Sequence, residues 1–295
     1  MKEHSPTETI IDALTLPECP RWHEGALYFS DIMAGRLCRL ADDGEVETLF
    51  EAKDVRVGGI GFLEDGDIVA VLQNRRTVVR IHAGETSPYA DLSGLVRFGL
   101  NDMIVGDGLA YISQPGFDLF GDGFEGQGGL TDMLLIGADG SPSIVASDLH
   151  GPNGMAITQD GKWLFVAESG GGKISEFSIG PEGALLKCRT FAMLPGNAFP
   201  DGICLDDSGG VWAAAPLARE EGWGSFVVRL VEDGSATDIV RMKPGRHALA
   251  CAFGGEGRNT LFVCTTESIS GDDAFAPGKG RIEAIRLDYS GSGKP

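Results

Sequence analysis

The sequence predicts an all-β chain folded as a six-bladed β-propeller, on three observations: one phrase repeated six times, strands that alternate apolar and polar residues, and a glycine-rich composition. The repeated phrase is a short alternating segment, a turn rich in Asp and Gly, then an apolar strand. The apolar strands are ALYFSDI (26–32), DIVAVLQ (67–73), LAYISQ (109–114), KWLFVAES (162–169), GVWAAA (210–215) and NTLFVCTT (259–266). Their starts lie 41, 42, 53, 48 and 49 residues apart, which is the length of a four-stranded blade. A second alternating strand follows each one: RLCRLADDG, VVRIHAGE, DMLLIGADG, KISEFSIGPEG, FVVRLVEDG and RIEAIRLDYSG. Such alternation suits sheets that stack around an axis, each burying faces that it cannot bury alone.

The composition agrees. The 295 residues include 44 Gly and 14 Pro, as expected of many short strands joined by tight turns. One propeller spanning residues 1–295 accounts for the length without a second domain. The segment TETIIDAL (7–14) precedes the first blade and is expected to pair with the outer edge of the last, near residues 281–287, closing the ring and covering an exposed edge. The longest spacing holds GFDLFGDGFEGQGG (116–129), a loop over one face that reads equally as a lid or as a plain insertion.

Charge and cysteines narrow the function classes. With 24 Lys+Arg against 43 Asp+Glu the formal charge is −19, which repels phosphate backbones and anionic membranes, so neither nucleic acid nor membrane is expected as a partner. Cys19, Cys38, Cys188, Cys204, Cys251 and Cys264 are scattered without a C-x-x-C pair, so neither a zinc ribbon nor a disulfide framework is expected. Cys204, Cys251 and Cys264 read as small core residues. The start, MKEHSPTETIIDAL, has no apolar leader, and a cytoplasmic protein is expected.

The chemistry gathers just ahead of the Asp/Gly turns. Counting back six or seven residues from the turn acid reaches Glu18, Asn101, Asn153 and Asp201, each able to offer an oxygen to a cation. In the second and sixth blades the count ends near Gly59 and Ala250, which offer nothing. A propeller lines its central channel with the innermost strands, so these positions converge there. Two carboxylates with one or two amide oxygens make a hard site suited to a single divalent ion: Ca²⁺ foremost, with Mg²⁺, Mn²⁺, Zn²⁺ or Fe²⁺ as alternatives. Asn153-Gly154 and Asp201-Gly202 also read as ordinary turn dipeptides. Against that, each follows a Pro and opens a strand that ends in its own turn.

His247, in GRHALACAFGG, begins the innermost strand of the sixth blade and is weighed for catalysis against a structural role, with His4, His23, His82 and His150 behind it. Trp22, Trp163 and Trp212 are expected in the core, and Trp223, in REEGWGS, against substrate. The sequence holds no G-x-S-x-G elbow, Walker loop or H-E-x-x-H pair, which disfavours serine hydrolases, nucleotide enzymes and zincins.

Five phrases then carry a family resemblance: ECPRWHEGALYFSDI, NDMIVGDGLAYIS, GPNGMAITQDGKWLFVAES, PDGICLDDSGGVWAA and CAFGGEGRNTLFVCTT. Their order and spacing, over roughly residues 15–290, resemble the SMP-30/gluconolactonase/luciferin-regenerating enzyme (LRE)-like family. The resemblance implies a propeller with a divalent metal held by Glu18, Asn153 and Asp201, and implies that Asn101, with Asp102 behind it, contacts the substrate or a water on the metal. It implies hydrolysis of a small-molecule lactone or ester, with organophosphate hydrolysis in more distant relatives. One departure stands out. Sugar-lactone members commonly carry Arg two residues before that Asn, whereas this chain has Gly99, with the nearest Arg at Arg97. Losing a bidentate guanidinium favours a less polar lactone than gluconolactone.

In the expected mechanism the metal polarises the lactone carbonyl and water attacks. Asp201 is the base, with Asp102 or Glu168 as the alternative. A phosphotriesterase-like hydrolase and a non-catalytic metal-binding propeller are the competing functions.

Overall fold

The computed structural model describes residues 1–41, 44–120, 129–270 and 275–295. Most of the loop at 116–129 thus lies outside the described residues. Each expected apolar strand is the second strand of an antiparallel four-stranded sheet. The first blade runs Pro17–His23, Ala26–Asp31, Arg36–Leu40 and Val46–Glu51 outward from the axis, and the second runs Val57–Phe62, Ile68–Leu72, Thr77–His82 and Glu85–Asp91. The third and fourth begin with Met103–Gly106 and Pro152–Ile157, the fifth with Ile203–Asp206 and the sixth with His247–Gly254. The chain is therefore an all-β six-bladed propeller.

Glu8–Leu14 supplies the outer strand of the sixth blade, pairing antiparallel with Gly280–Arg286. Beyond this closure, the fifth blade gains two short strands. Lys2–Glu3 runs parallel to its outer strand, Ala236–Arg241, and His4 Nε2 donates to Asp238 at 2.8 Å beside it. Gly291–Ser292 pairs with Leu205 and Asp206, at the end of the inner strand farthest from Asp201. The Lys294 amide then donates to the Ile157 carbonyl at 3.0 Å, so the tail crosses between the fourth and fifth blades at that end of the channel.

The core follows the ring. Buried side chains form six clusters, one between each pair of neighbouring blades: Phe165, Ile203 and Phe226 lie between the fourth and fifth, and Phe29, Cys264 and Ile282 between the sixth and first. Each blade thus contributes to two cores, which is why the alternating strands carry apolar residues on both faces at their centres. A seventh cluster, Leu16, Ile32 and Leu249, caps one end of the channel. No helix of the described residues is long and apolar enough to cross a membrane.

Three side-chain expectations need correction or sharpening. Trp163 is not in the core: it is 37% exposed, because it opens its strand at the blade's rim, whereas Trp212 is fully buried and Trp22 stacks on Phe262. Trp223 is half-buried, its ring packed on Gly196 and Phe226 and receiving Arg241. Cys251 and Cys264 are buried, while Cys204 is only half-buried, its Sγ 3.6 Å from that of Cys251.

Candidate active site

At one level of the ring the inner strands are irregular. Register shifts fall between Glu18 and Arg21, Val57 and Ile60, Pro152 and Met155, and Ala248 and Ala250. A bulge bends a strand and re-aims the side chain beside it, and bulges gather next to functional sites. Cys19 takes left-handed backbone with φ 50°, and its amide donates to Glu18 Oε2 at 2.8 Å, fixing that carboxylate against its own strand. Asp31 anchors the same segment from the neighbouring strand, accepting from the Leu16 amide at 2.7 Å.

The hydrogen bonds identify which residues share the level. The Asn101 and Asp201 amides donate to Ser113 and Ala214 in the same way. Across blades, the Gly59 amide donates to the Asn101 carbonyl as the Gly202 amide donates to the Leu249 carbonyl. By that pattern the ring reads Glu18, Gly58, Asn101, Asn153, Asp201 and Leu249. The two non-donor positions are thus Gly58 and Leu249, one residue earlier than the sequence count gives.

The glycines that follow the donors are not turn residues. A Cβ at Gly154 would stand 2.6 Å from the Asp201 carbonyl oxygen, and one at Gly202 would stand 2.3 Å from the Ala250 Cβ. Inner strands of adjacent blades approach so closely at the channel that only hydrogen fits there. Asn-Gly and Asp-Gly are therefore packing requirements of the channel wall.

Glu18, Asn153 and Asp201 keep partly accessible surface amid buried neighbours, as expected of residues lining a narrow channel, while Asn101 is 8% exposed. A chain of amides ties them together. Gln73 Nε2 donates to Asn101 Oδ1 at 3.2 Å, Asn101 Nδ2 to Asn153 Oδ1 at 2.8 Å, and Asn153 Nδ2 to Ser169 Oγ at 3.3 Å. Ser169 in turn donates to the Pro200 carbonyl at 2.6 Å, next to Asp201. Asn153 also bonds the Asp201 carboxylate. With Oδ1 receiving a single hydrogen bond, Asn153 retains a lone pair for a cation.

The electrostatics are unbalanced. Burial pushes the Glu18 carboxyl well above its usual range, and the charges of Asp201 and Asp102 push it further. Burial, then the charge of Asp102, raises Asp201 to about 8. Arg21 is the buried guanidinium nearby, but it is committed to Asp102 at 2.9 Å and to the Met103 carbonyl at 2.7 Å. Three carboxylates face one guanidinium, an excess of two negative charges when all are ionised. The donor chemistry therefore fits a divalent cation: oxygen ligands, no thiolate, and a charge deficit of the right size. Among the described residues no group of three His, Cys, Asp or Glu is placed to hold an ion. The candidate set contains two such residues, with Asn153 as the third donor.

The alternative bases are already engaged. Asp102 is 4% exposed and holds Arg21 and the Met103 amide. Glu168 is 2% exposed, accepts from the His150 amide and Ser175 Oγ, and pairs with Lys173 at 3.1 Å. His247 stands at the head of its inner strand and donates from Nδ1 to the Pro216 carbonyl at 2.8 Å, which assigns its tautomer. Sequence reasoning missed Gln73, Ser169, Arg21 and Asp31. Gln73 is 2% exposed with its Oε1 unpartnered, a buried polar side chain at the end of an apolar strand.

Comparison with known proteins agrees with this architecture. The chain is 28% identical over 293 residues to a 6-deoxy-6-sulfogluconolactonase of Pseudomonas putida, covering 95% of this chain and 94% of that one. It is 27% identical over 305 residues to pentonolactonase XacC of Haloferax volcanii, covering 98% and 96%. A solved luciferin-regenerating enzyme superposes with a TM-score of 0.80 at 19% identity over 98% of each chain, a likeness of fold. The SMP-30/Gluconolactonase/LRE-like region matches residues 16–267, and the chain thus belongs to that family.

Proposed function

We propose that the chain is a divalent-metal-dependent hydrolase that opens a lactone less polar than gluconolactone. The observation that carries this reading is the ring of Glu18, Asn101, Asn153 and Asp201 at one level of the channel, with two carboxylates beside a single guanidinium that is already paired with Asp102. The sugar-lactonase names of the two relatives support the reaction class. Glu18, Asn153 and Asp201 would hold the ion, with Ca²⁺ favoured by the all-oxygen donor set. When bound, the ion supplies Lewis-acid polarisation of the lactone carbonyl.

The chain's own residues do the rest. Asp201 takes a proton from the attacking water as its oxygen bonds to the carbonyl carbon, and returns it to the ring oxygen as the ester C–O bond breaks. In the metal-free chain burial and Asp102 raise its carboxyl, and an ion held beside it would draw that basicity back down. Asn101, clamped between Gln73 and Asn153, orients the substrate and keeps the Asn153 amide turned with its oxygen toward the channel. Arg21 and Asp102 form a fixed ion pair beneath the donors rather than a reacting pair.

A panel of lactones, an aryl ester and an organophosphate triester, each measured with divalent ions added singly to chelated protein, tests the reading. Lactone turnover restored by one ion is expected. Faster turnover of the triester than of every lactone would instead support the phosphotriesterase-like function, and no turnover at all the binding propeller.

A further inference from the structure

We infer that the site takes a lactone bearing an alkyl or aryl substituent, which lies against an apolar wall of Leu249, Phe120 and Phe275; this rests on the lactone-hydrolase reading above. The ring at the channel mouth is chemically two-sided. Asn101, Asn153 and Asp201 occupy consecutive blades and present amides and a carboxylate. Leu249 occupies the equivalent place on the sixth blade, is 4% exposed, and clusters with Leu16, two residues ahead of Glu18, and with Ile32.

Phe120 and Phe275 extend this apolar side over the mouth. Phe120 follows the second strand of the third blade, and Phe275 precedes the third strand of the sixth. Those blades stand opposite each other in a six-fold ring. A ring contact between them, with centroids 5.7 Å apart at 74°, must cross the face of the propeller rather than follow its rim. Both rings pack on the Leu16, Ile32 and Leu249 cluster, so the contact sits at the end of the channel that carries Glu18.

The cations near this wall do not turn it into a sugar site. The Arg56 guanidinium lies over the Phe120 ring, 4.5 Å from its centroid, held by its face. Position 99 has no side chain, and a Cβ there would come 3.3 Å from the Gln73 carbonyl oxygen. A polyhydroxylated ring needs a hydrogen-bond partner for each hydroxyl it brings out of water, and Leu249, Phe120 and Phe275 offer none. An alkyl or aryl substituent, by contrast, gains from every carbon that it places against them.

The test is kcat/KM for the full chain, supplied with divalent ion, on four probes: an unsubstituted δ-lactone, the same ring carrying a short alkyl chain, an aryl-fused lactone, and an aldonolactone. The alkyl and aryl probes are expected to exceed the other two by about tenfold or more. Phe120→Ala and Phe275→Ala should each bring the ratio of alkyl-substituted to unsubstituted turnover down toward one. Preference for the aldonolactone, or a ratio unmoved in both variants, overturns the inference while leaving the hydrolase reading intact. Turnover of no lactone by the unaltered protein overturns both.

Discussion

Asp201→Ala is expected to lower kcat/KM for lactone hydrolysis by about a thousandfold or more, roughly 4 kcal/mol of transition-state stabilisation, because one substitution removes a metal donor and the base together. The same change should stabilise the metal-free protein against heat. In the folded chain Asp201 keeps its proton up to a pH of about 8, whereas an unfolded chain releases it in the ordinary carboxylate range. Between those values the folded state binds more protons than the unfolded one, so the stability of the metal-free protein falls as pH rises. Thermal melts in chelator should therefore show a midpoint that drops from pH 5 to pH 8, with a shallower drop in Asp201→Ala. An activity loss below tenfold would remove Asp201 from both roles.

Arg21→Leu is expected to have the largest effect on stability. Arg21 and Asp102 are 7% and 4% exposed and bonded at 2.9 Å. Removing one member of a buried pair leaves the other charge without a partner, a loss of about 3–5 kcal/mol. Here the orphaned carboxylate would also face Glu18, whose charge Arg21 partly offsets, and Asp201. The double variant Arg21→Leu/Asp102→Leu should regain much of the loss, since both charges then leave together. Urea unfolding of the two single variants and the double variant gives the coupling. Independent, additive effects would mean that the pair does not act as a unit.

Much of this architecture is legible in the sequence because a repeated blade repeats its signal. Alternation in six copies fixed the second strands to within about two residues, and the oxygen-bearing residues ahead of the turns led to Glu18, Asn101, Asn153 and Asp201. Counting from the turn failed by one residue in the second and sixth blades. Bulges in the inner strands of the first, second, fourth and sixth blades, absent from the other two, insert residues that no periodicity reveals, so one fixed count from the turn cannot hold in every blade. The additions to the fifth blade, Lys2–Glu3 and Gly291–Ser292, are two-residue pairings too short to show any pattern. Gln73 and Arg21 were hidden for another reason: each reaches the site only through tertiary contact, Gln73 from the end of a second strand and Arg21 from below the donors. Trp163 looked like core because its neighbours are core, but a residue opening a strand at the rim faces solvent even when the strand does not.

Turnover is expected to depend on one divalent ion held at the channel mouth. The most direct measurement is elemental analysis of the purified protein together with lactone turnover before chelation, after it, and after stepwise return of the ion. About one divalent ion per chain, activity lost on chelation, and recovery that saturates at one equivalent are expected. Undiminished turnover by protein shown to be metal-free would contradict this dependence.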